Sequence, residues 1–260
     1  GISHGDINGI GYEVMLKCFS DNRMFDFCTP ILYGSSKIAS YHKKLINATD
    51  FPFVNIRSVE QAEPNKFNIL NIIQEEVKID IGQPTEIGGK LAAMSLDIAC
   101  RDLMNGKIDA LVTNPINKKN IQSDKFNFPG HTEYLTKMFG VDESLMIMTC
   151  NKLHIGIMTN HLSLSQVPQV ITKELILRKL KVMNDSLKRD FGIRMPKIAV
   201  LALNPHAGDR GLIGNEDDAV VAPAIQEAFD KGILAFGPYP ADGFFGNGTM
   251  KNFDGVMALY

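Results

Sequence analysis

Short, continuously apolar runs alternate along this chain with stretches of helical period, and that alternation restricts the fold more than any other feature. The runs at 30–33, 53–56, 69–73, 110–113, 145–149, 154–159, 198–203 and 256–259 read as strands. Strands buried on both faces of a parallel sheet have this unbroken apolar character. Between them, 172–191 places Leu175, Ile176, Leu180, Met183, Leu187 and Phe191 on one helical face, with Thr172 to cap its start and Gly192 to close its end. A second helix, 89–105, carries Leu91, Met94 and Ile98 and stops at Gly106, and a third, 217–231, ends at Gly232. The pattern predicts an α/β protein with a parallel sheet and helices on both faces. A length of 260 residues suffices for one large α/β unit or two lobes.

A net charge of −2 excludes nucleic-acid or membrane-surface binding driven by bulk charge, but not an anionic small substrate. No apolar run approaches the ~18 residues of a membrane span, and no leader peptide is visible. Cys18, Cys28, Cys100 and Cys150 are widely spaced with no CxxC pair. They read as reduced thiols, small buried hydrophobes in a cytoplasmic protein. Gly1-Ile2-Ser3 reads as the last residues of a strand and Leu259-Tyr260 stops inside an apolar run, so the chain is expected to be truncated at both ends.

Several polar phrases follow the strands. His161 comes just after the run 154–159, and His206 just after 198–203. A ligand-type residue at a strand end lies on the rim of a sheet, where open α/β folds bind substrates, and two imidazoles there can form part of a metal site. Two unrelated rim histidines are the competing reading, since 45 residues separate them. Gly5, Asp6, Gly9 and Gly11 form a glycine loop before a helix, either an anion-binding turn or a plain strand-to-helix connection. The dinucleotide fingerprint GxGxxG is absent. Lys118, after the strand at 110–113, either reaches a cleft or is solvated. His131 or Thr132 can cap the following helix, or hold a phosphate at its start. Glu216, Asp217 and Asp218 read as a cap for the helix 217–231. Asp242 is either a site partner or a turn residue, while His4, His42 and His154 read as a loop, an exposed helix and a strand position.

Taken together, Gly5-Asp6-x-x-Gly9-Ile10-Gly11, Thr113-x-Pro115-x-x-Lys118, Gly130-His131-Thr132-Glu133, Thr159-x-His161-Leu162 and Leu203-Asn204-Pro205-His206-Ala207-Gly208 resemble the 4-hydroxythreonine-4-phosphate dehydrogenase family in order and spacing. The resemblance spans essentially the whole chain. It implies a two-lobed α/β/α fold of the isocitrate and isopropylmalate dehydrogenase kind with a cleft between lobes, 1–125 with 245–260 forming the first lobe and 126–244 the second. It also implies a homodimer with active sites at the subunit interface. Three histidines would hold a divalent metal, two of them matching His161 and His206 and the third falling beyond Tyr260. His131 and Thr132 match substrate contacts, Gly5, Asp6, Gly9 and Gly11 are the candidate cofactor loop, and Lys118 and Asp242 are candidate catalytic residues. The chain departs from the family at Ile7-Asn8, commonly Pro-Ala, at Asn114, commonly a small residue, and at Gly243.

The activity implied is NAD-dependent oxidation of 4-hydroxythreonine 4-phosphate with decarboxylation to 3-amino-2-oxopropyl phosphate, in pyridoxal phosphate biosynthesis. Zinc suits the imidazole set best, with cobalt or magnesium as alternatives. One rival keeps the fold and takes erythronate or threonate 4-phosphate. Another is a phosphate-ligand binding protein without catalysis.

Overall fold

A computed structural model describes residues 1–124 and 126–260. The chain divides into two compact units, Gly1–Gly140 and Val141–Tyr260. The sequence reading begins the second lobe at Phe126, whereas residues 126–140 belong to the first unit.

The first unit is built on β1 (Ile2–Ser3), β2 (Ile31–Gly34), β3 (Val54–Ile56), β4 (Asn68–Asn71) and β5 (Val112–Thr113), in the order β3-β4-β2-β1-β5. Every pairing is parallel. Its helices are α1 (Gly11–Cys18), α2 (Ser36–Leu45), α3 (Glu86–Met104) and α4 (His131–Met138). Helix α3 starts three residues before the expected Gly89, because Thr85 caps it by accepting the Gly88 N–H at 3.2 Å. Ser95, buried in α3, accepts the His4 N–H at 3.0 Å and donates to the Tyr33 carbonyl at 2.6 Å, which fixes the helix against the exit of β1.

The second unit holds β6 (Met146–Cys150), β7 (Leu153–Ile157), β8 (Lys197–Leu201), β9 (Leu234–Tyr239) and β10 (Gly255–Ala258), in the order β6-β7-β10-β8-β9. Only β6 runs antiparallel to its neighbour; β7, β10, β8 and β9 are mutually parallel. The helices are α5 (Val167–Val170), α6 (Lys173–Arg189), α7 (Ala222–Asp230) and α8 (Ala241–Gly246). The Thr172 hydroxyl accepts the Leu175 N–H at 3.2 Å, as its position before an apolar stripe predicts. Ile176, Leu180, Met183 and Leu187 are fully buried against Ile198, Val200 and Met257, each contributing about 1.5–3 kcal/mol. Phe191, expected on that face, is instead 38% exposed and packs on the His154 ring at 4.1 Å between centroids. A Cβ at Gly255 would lie 2.5 Å from Met183 Cε and 2.9 Å from Leu187 Cδ1, so the side chains of α6 pack directly on this glycine.

Three expectations need correction. Residues 245–260 do not complete the first lobe: β10 hydrogen-bonds between β7 and β8 at the middle of the second sheet. Strand β9 escapes the sequence reading because Gly237 and Pro238 interrupt it; it is an edge strand, where a missing N–H breaks no ladder bond. Of the four cysteines only Cys100 is buried, while Cys18, Cys28 and Cys150 are exposed free thiols.

Candidate functional site

In the second unit four parallel strands end at one edge of the sheet. His161 follows β7, His206 follows β8, Asp242 follows β9 in the first turn of α8, and Leu259-Tyr260 follow β10. The two histidines thus leave strands on either side of β10, whose axes lie roughly 10 Å apart at ordinary strand spacing. The β7 exit is tied to the middle strand: Met158 N–H donates to the Ala258 carbonyl at 2.9 Å and the Thr159 hydroxyl to the Leu259 carbonyl at 2.8 Å. Both imidazoles and the Asp242 carboxylate belong to exposed residues. Among the described residues no three His, Cys, Asp or Glu side chains gather as a complete metal site.

Both histidines sit in the left-handed region, His161 at φ 54° and His206 at φ 53°. His206 opens a run of six such residues, followed by Ala207 at 54°, Gly208 at 79°, Asp209 at 42°, Arg210 at 55° and Gly211 at 88°. For an L-residue this conformation costs roughly 1–2 kcal/mol, and it normally occurs singly. Something must over-determine the turn. The Asp217 carboxylate, 0% exposed, accepts the Leu203 N–H at 2.7 Å and the Asn204 N–H at 2.9 Å. Asn204 Nδ2 donates to Glu216 Oε2 at 2.8 Å, and this bond helps hold the Glu216 carboxyl below its usual range, after the hydrogen bond from its own backbone. The acidic trio was expected to cap the next helix; Asp217 instead reaches back to the residues before His206. The missed signal is its spacing, since Asp217, Val221, Ala224, Ile225 and Ala228 are all buried and recur at helical period.

In the first unit the exits of the neighbouring strands β1 and β5 carry the glycine loop and Lys118. The loop is welded to the segment after β5. Asp6 N–H donates to the Pro115 carbonyl at 2.9 Å, and the Asp6 carboxylate accepts from Asn8 N–H at 2.9 Å and from Asn120 Nδ2 at 3.3 Å. A Cβ at Gly5 would lie 2.3 Å from the Pro115 carbonyl oxygen. Asn8, where the family commonly has alanine, donates to the Gln83 carbonyl and the Thr85 hydroxyl and accepts the Asp80 N–H. Internal packing therefore accounts for Gly5, Asp6 and Asn8. What faces outward is Ile10, 59% exposed, at the start of α1.

His131 is the first residue of α4 and Gly130 its cap, so neither His131 nor Thr132 caps the helix with its side chain. The His131 Nε2 is buried without a hydrogen-bond partner among the described residues. Burial, and then the nearby Lys118 charge, push this imidazole below its ordinary pKa. Lys118 is exposed, and its Nζ lies 4.0 Å from where a Gly130 Cβ would stand. Lys118 and His131 therefore meet beside Thr132 at one helix start. Tyr134 anchors α4, stacking on Phe126 at 5.1 Å between centroids.

Two histidines read as unremarkable in the sequence are deeply buried. His42 stacks on Tyr12 at 5.0 Å between centroids, and its Nε2 lies 2.9 Å from the Ile7 carbonyl oxygen. His4 is 0% exposed, and neither ring nitrogen has a hydrogen-bond partner among the described residues. Burial pushes the His4 imidazole down to about 4, against a smaller upward pull from backbone groups of Gly5 and Leu91.

Residues 26–260 match the profile of the family described as pyridoxal phosphate biosynthetic protein PdxA. The chain belongs to the PdxA family. Every candidate residue except the glycine loop lies inside the matched span. A 4-hydroxythreonine-4-phosphate dehydrogenase of Bacteroides thetaiotaomicron is 47% identical over 100% of this chain and 71% of its own length. A protein of Oceanobacillus iheyensis, provisionally named a D-threonate 4-phosphate dehydrogenase, is 32% identical over 100% of this chain and 79% of its own. The crystal structure of a 4-hydroxythreonine-4-phosphate dehydrogenase from Burkholderia phymatum superposes with a TM-score of 0.87 at 30% identity, covering 100% of this chain and 79% of that one. PdxA proteins have the isocitrate and isopropylmalate dehydrogenase-like α/β fold, and this chain shares it. Its PdxA relatives are dehydrogenases, which makes this chain an oxidoreductase.

Proposed function

We propose that the chain oxidises 4-hydroxythreonine 4-phosphate with NAD, with loss of the carboxyl group as carbon dioxide, to give 3-amino-2-oxopropyl phosphate for pyridoxal phosphate synthesis. The observation that carries this reading is the position of His161 and His206 at the exits of β7 and β8, on either side of β10. It is joined by 47% identity to a protein named for this substrate. Two imidazoles at one sheet edge fit a divalent cation, zinc first and cobalt or magnesium as alternatives.

When bound, such a cation polarises a hydroxyl and a carboxylate, and NAD accepts a hydride. The chain's own residues bind and orient. His161 and His206 would supply nitrogen donors from backbone in the left-handed region. At the start of α4, Thr132, His131 and the Lys118 ammonium would offer donors to the terminal phosphate, with the Glu133 carboxylate beside them at Gly130. Because burial and Lys118 disfavour the imidazolium, His131 serves there as a neutral hydrogen-bonding group. Asp242 and Lys118 are the candidates for moving the hydroxyl proton, and the backbone around Gly9 and Gly11 is the candidate cofactor contact.

The reading includes a cytoplasmic homodimer with active sites at the subunit interface. Leu162, Leu164 and Leu212 flank the two histidines at 42%, 74% and 80% exposure, an apolar rim of the kind a second subunit covers. No helix among the described residues is long and apolar enough to cross a membrane.

The test is NADH formation compared side by side on 4-hydroxythreonine 4-phosphate, D-threonate 4-phosphate and D-erythronate 4-phosphate, with and without a chelator. The first substrate should turn over fastest. His206→Ala should lose about a thousandfold or more, as expected where metal stabilisation is worth several kcal/mol, with an unchanged circular dichroism spectrum. Full turnover in chelated buffer would sink the metal role. Faster turnover of D-threonate 4-phosphate would favour the second reading, which the Oceanobacillus relative supports at lower identity.

A further inference from the structure

The left-handed turn carrying His206 closes on itself through buried polar groups rather than through its own helix. Residues 203 and 204 enter it, and residues 214–217 leave it. Both oxygens of Asp217 are taken by the entering backbone, at Leu203 N–H and Asn204 N–H. The Asn204 amide is taken by Glu216. Ile213 N–H returns to the Gly208 carbonyl at 3.0 Å. A Cβ at Gly208 would lie 2.6 Å from the Gly214 carbonyl oxygen, and one at Gly214 2.7 Å from both Asn204 Nδ2 and Glu216 Oε2. With entry and exit tied together, the six left-handed residues between them are pinned at both ends.

We propose that Asp217 is a positioning residue for His206: by gripping the backbone that enters the 206–210 turn, it sets the direction from which the imidazole meets a divalent cation. This rests on the metal reading above. A carboxylate serving only to cap its own helix would face the N–H groups that follow it. Asp217 faces backward, across thirteen and fourteen residues of chain, at charge-assisted hydrogen-bond distances. Groups that orient a metal ligand without touching the metal typically change metal affinity 10–100-fold when altered. The isosteric Asp217→Asn is the informative change, since it keeps the volume but turns an NH2 toward an N–H donor and loses one of the two bonds.

The experiment titrates the full-length, metal-free protein with Co2+ as the probe, followed by ligand-field absorption against a competing chelator, alongside thermal unfolding without metal. Asp217→Asn should raise the Co2+ Kd about 10–100-fold, and Asn204→Ala should raise it less. Leu96→Ala, in a separate core of the first unit, should lower the unfolding temperature and leave Kd within about twofold, because sites with no shared partners act independently. Wild-type Kd in both Asp217→Asn and Asn204→Ala, with a lowered unfolding temperature, would make Asp217 a scaffold residue and overturn the proposal. If Asp217→Asn does not fold, Asp217→Glu, which keeps the charge but moves the carboxylate by one methylene, decides in the same way. A wild-type protein that binds no Co2+, or a His206→Ala variant that binds it unchanged, would remove the metal reading itself.

Discussion

Two glycine-containing loops leave the ends of parallel strands, one in each unit, and they solve opposite problems. In the first unit Gly5 occupies the left-handed region at φ 71° because nothing larger fits against Pro115, and Asp6 and Asn8 turn their polar atoms inward. In the second unit the left-handed positions are held mostly by residues with side chains, His206, Ala207, Asp209 and Arg210. Glycine would adopt that backbone more easily. A glycine placed where space is missing reports packing. A histidine standing where glycine would be easier is what the proposed metal role of His206 would require.

The comparison can be broken most forcefully at Gly5. Gly5→Ala should destabilise the chain by about 3 kcal/mol or more, since the added carbon meets a backbone oxygen in a conformation that L-residues disfavour. A guanidinium midpoint unchanged from wild type would show that the first loop has room after all.

His4, buried beside the same loop, should give a comparable effect through pH. Its folded-state value is about 4, against about 6.5 unfolded. The unfolded chain therefore binds the proton first as pH falls. Stability should decline from about pH 6.5 and stop declining near pH 4, by roughly 3 kcal/mol in total. His4→Phe should flatten that slope when unfolding free energies are compared across the range. An identical pH profile in the variant would mean that the buried imidazole is not the titrating group.

The smallest effect sharpens the other side of the comparison. His206→Gly should raise stability by about 0.5–1 kcal/mol, the relieved strain less the extra entropy of an unfolded glycine, while metal-dependent turnover is lost. Denaturant midpoint and NADH formation measured on the same preparation check both halves. A destabilised variant would show that the turn is not strained at that residue.

Much of the architecture was legible because burial and period leave marks in one dimension. The runs at 30–33, 69–73, 145–149, 154–159, 198–203 and 256–259 each contain or overlap an observed strand, and Thr172 caps α6 as its position suggests. Strand β9 was not legible, because Gly237 and Pro238 argue against a strand wherever the neighbours on both sides are unknown. His4 and His42 read as loop and surface because a polar residue announces burial only when its partners can be seen. Asp217 looked like a helix cap because its true acceptor role joins residues 203 and 204, fourteen and thirteen positions earlier.

By itself the sequence determined the α/β class, the family, and the identity of the candidate residues after strands, His161, His206, Lys118 and Asp242, and at a helix start, His131 and Thr132. These depend on local pattern and on residue type. Only the tertiary structure decided that β10 lies between β7 and β8, that both histidines leave the same sheet edge in left-handed backbone, and that Asp217 braces one of them. Strand order and backbone handedness come from contacts between segments far apart in the chain, and no local pattern of side chains encodes them.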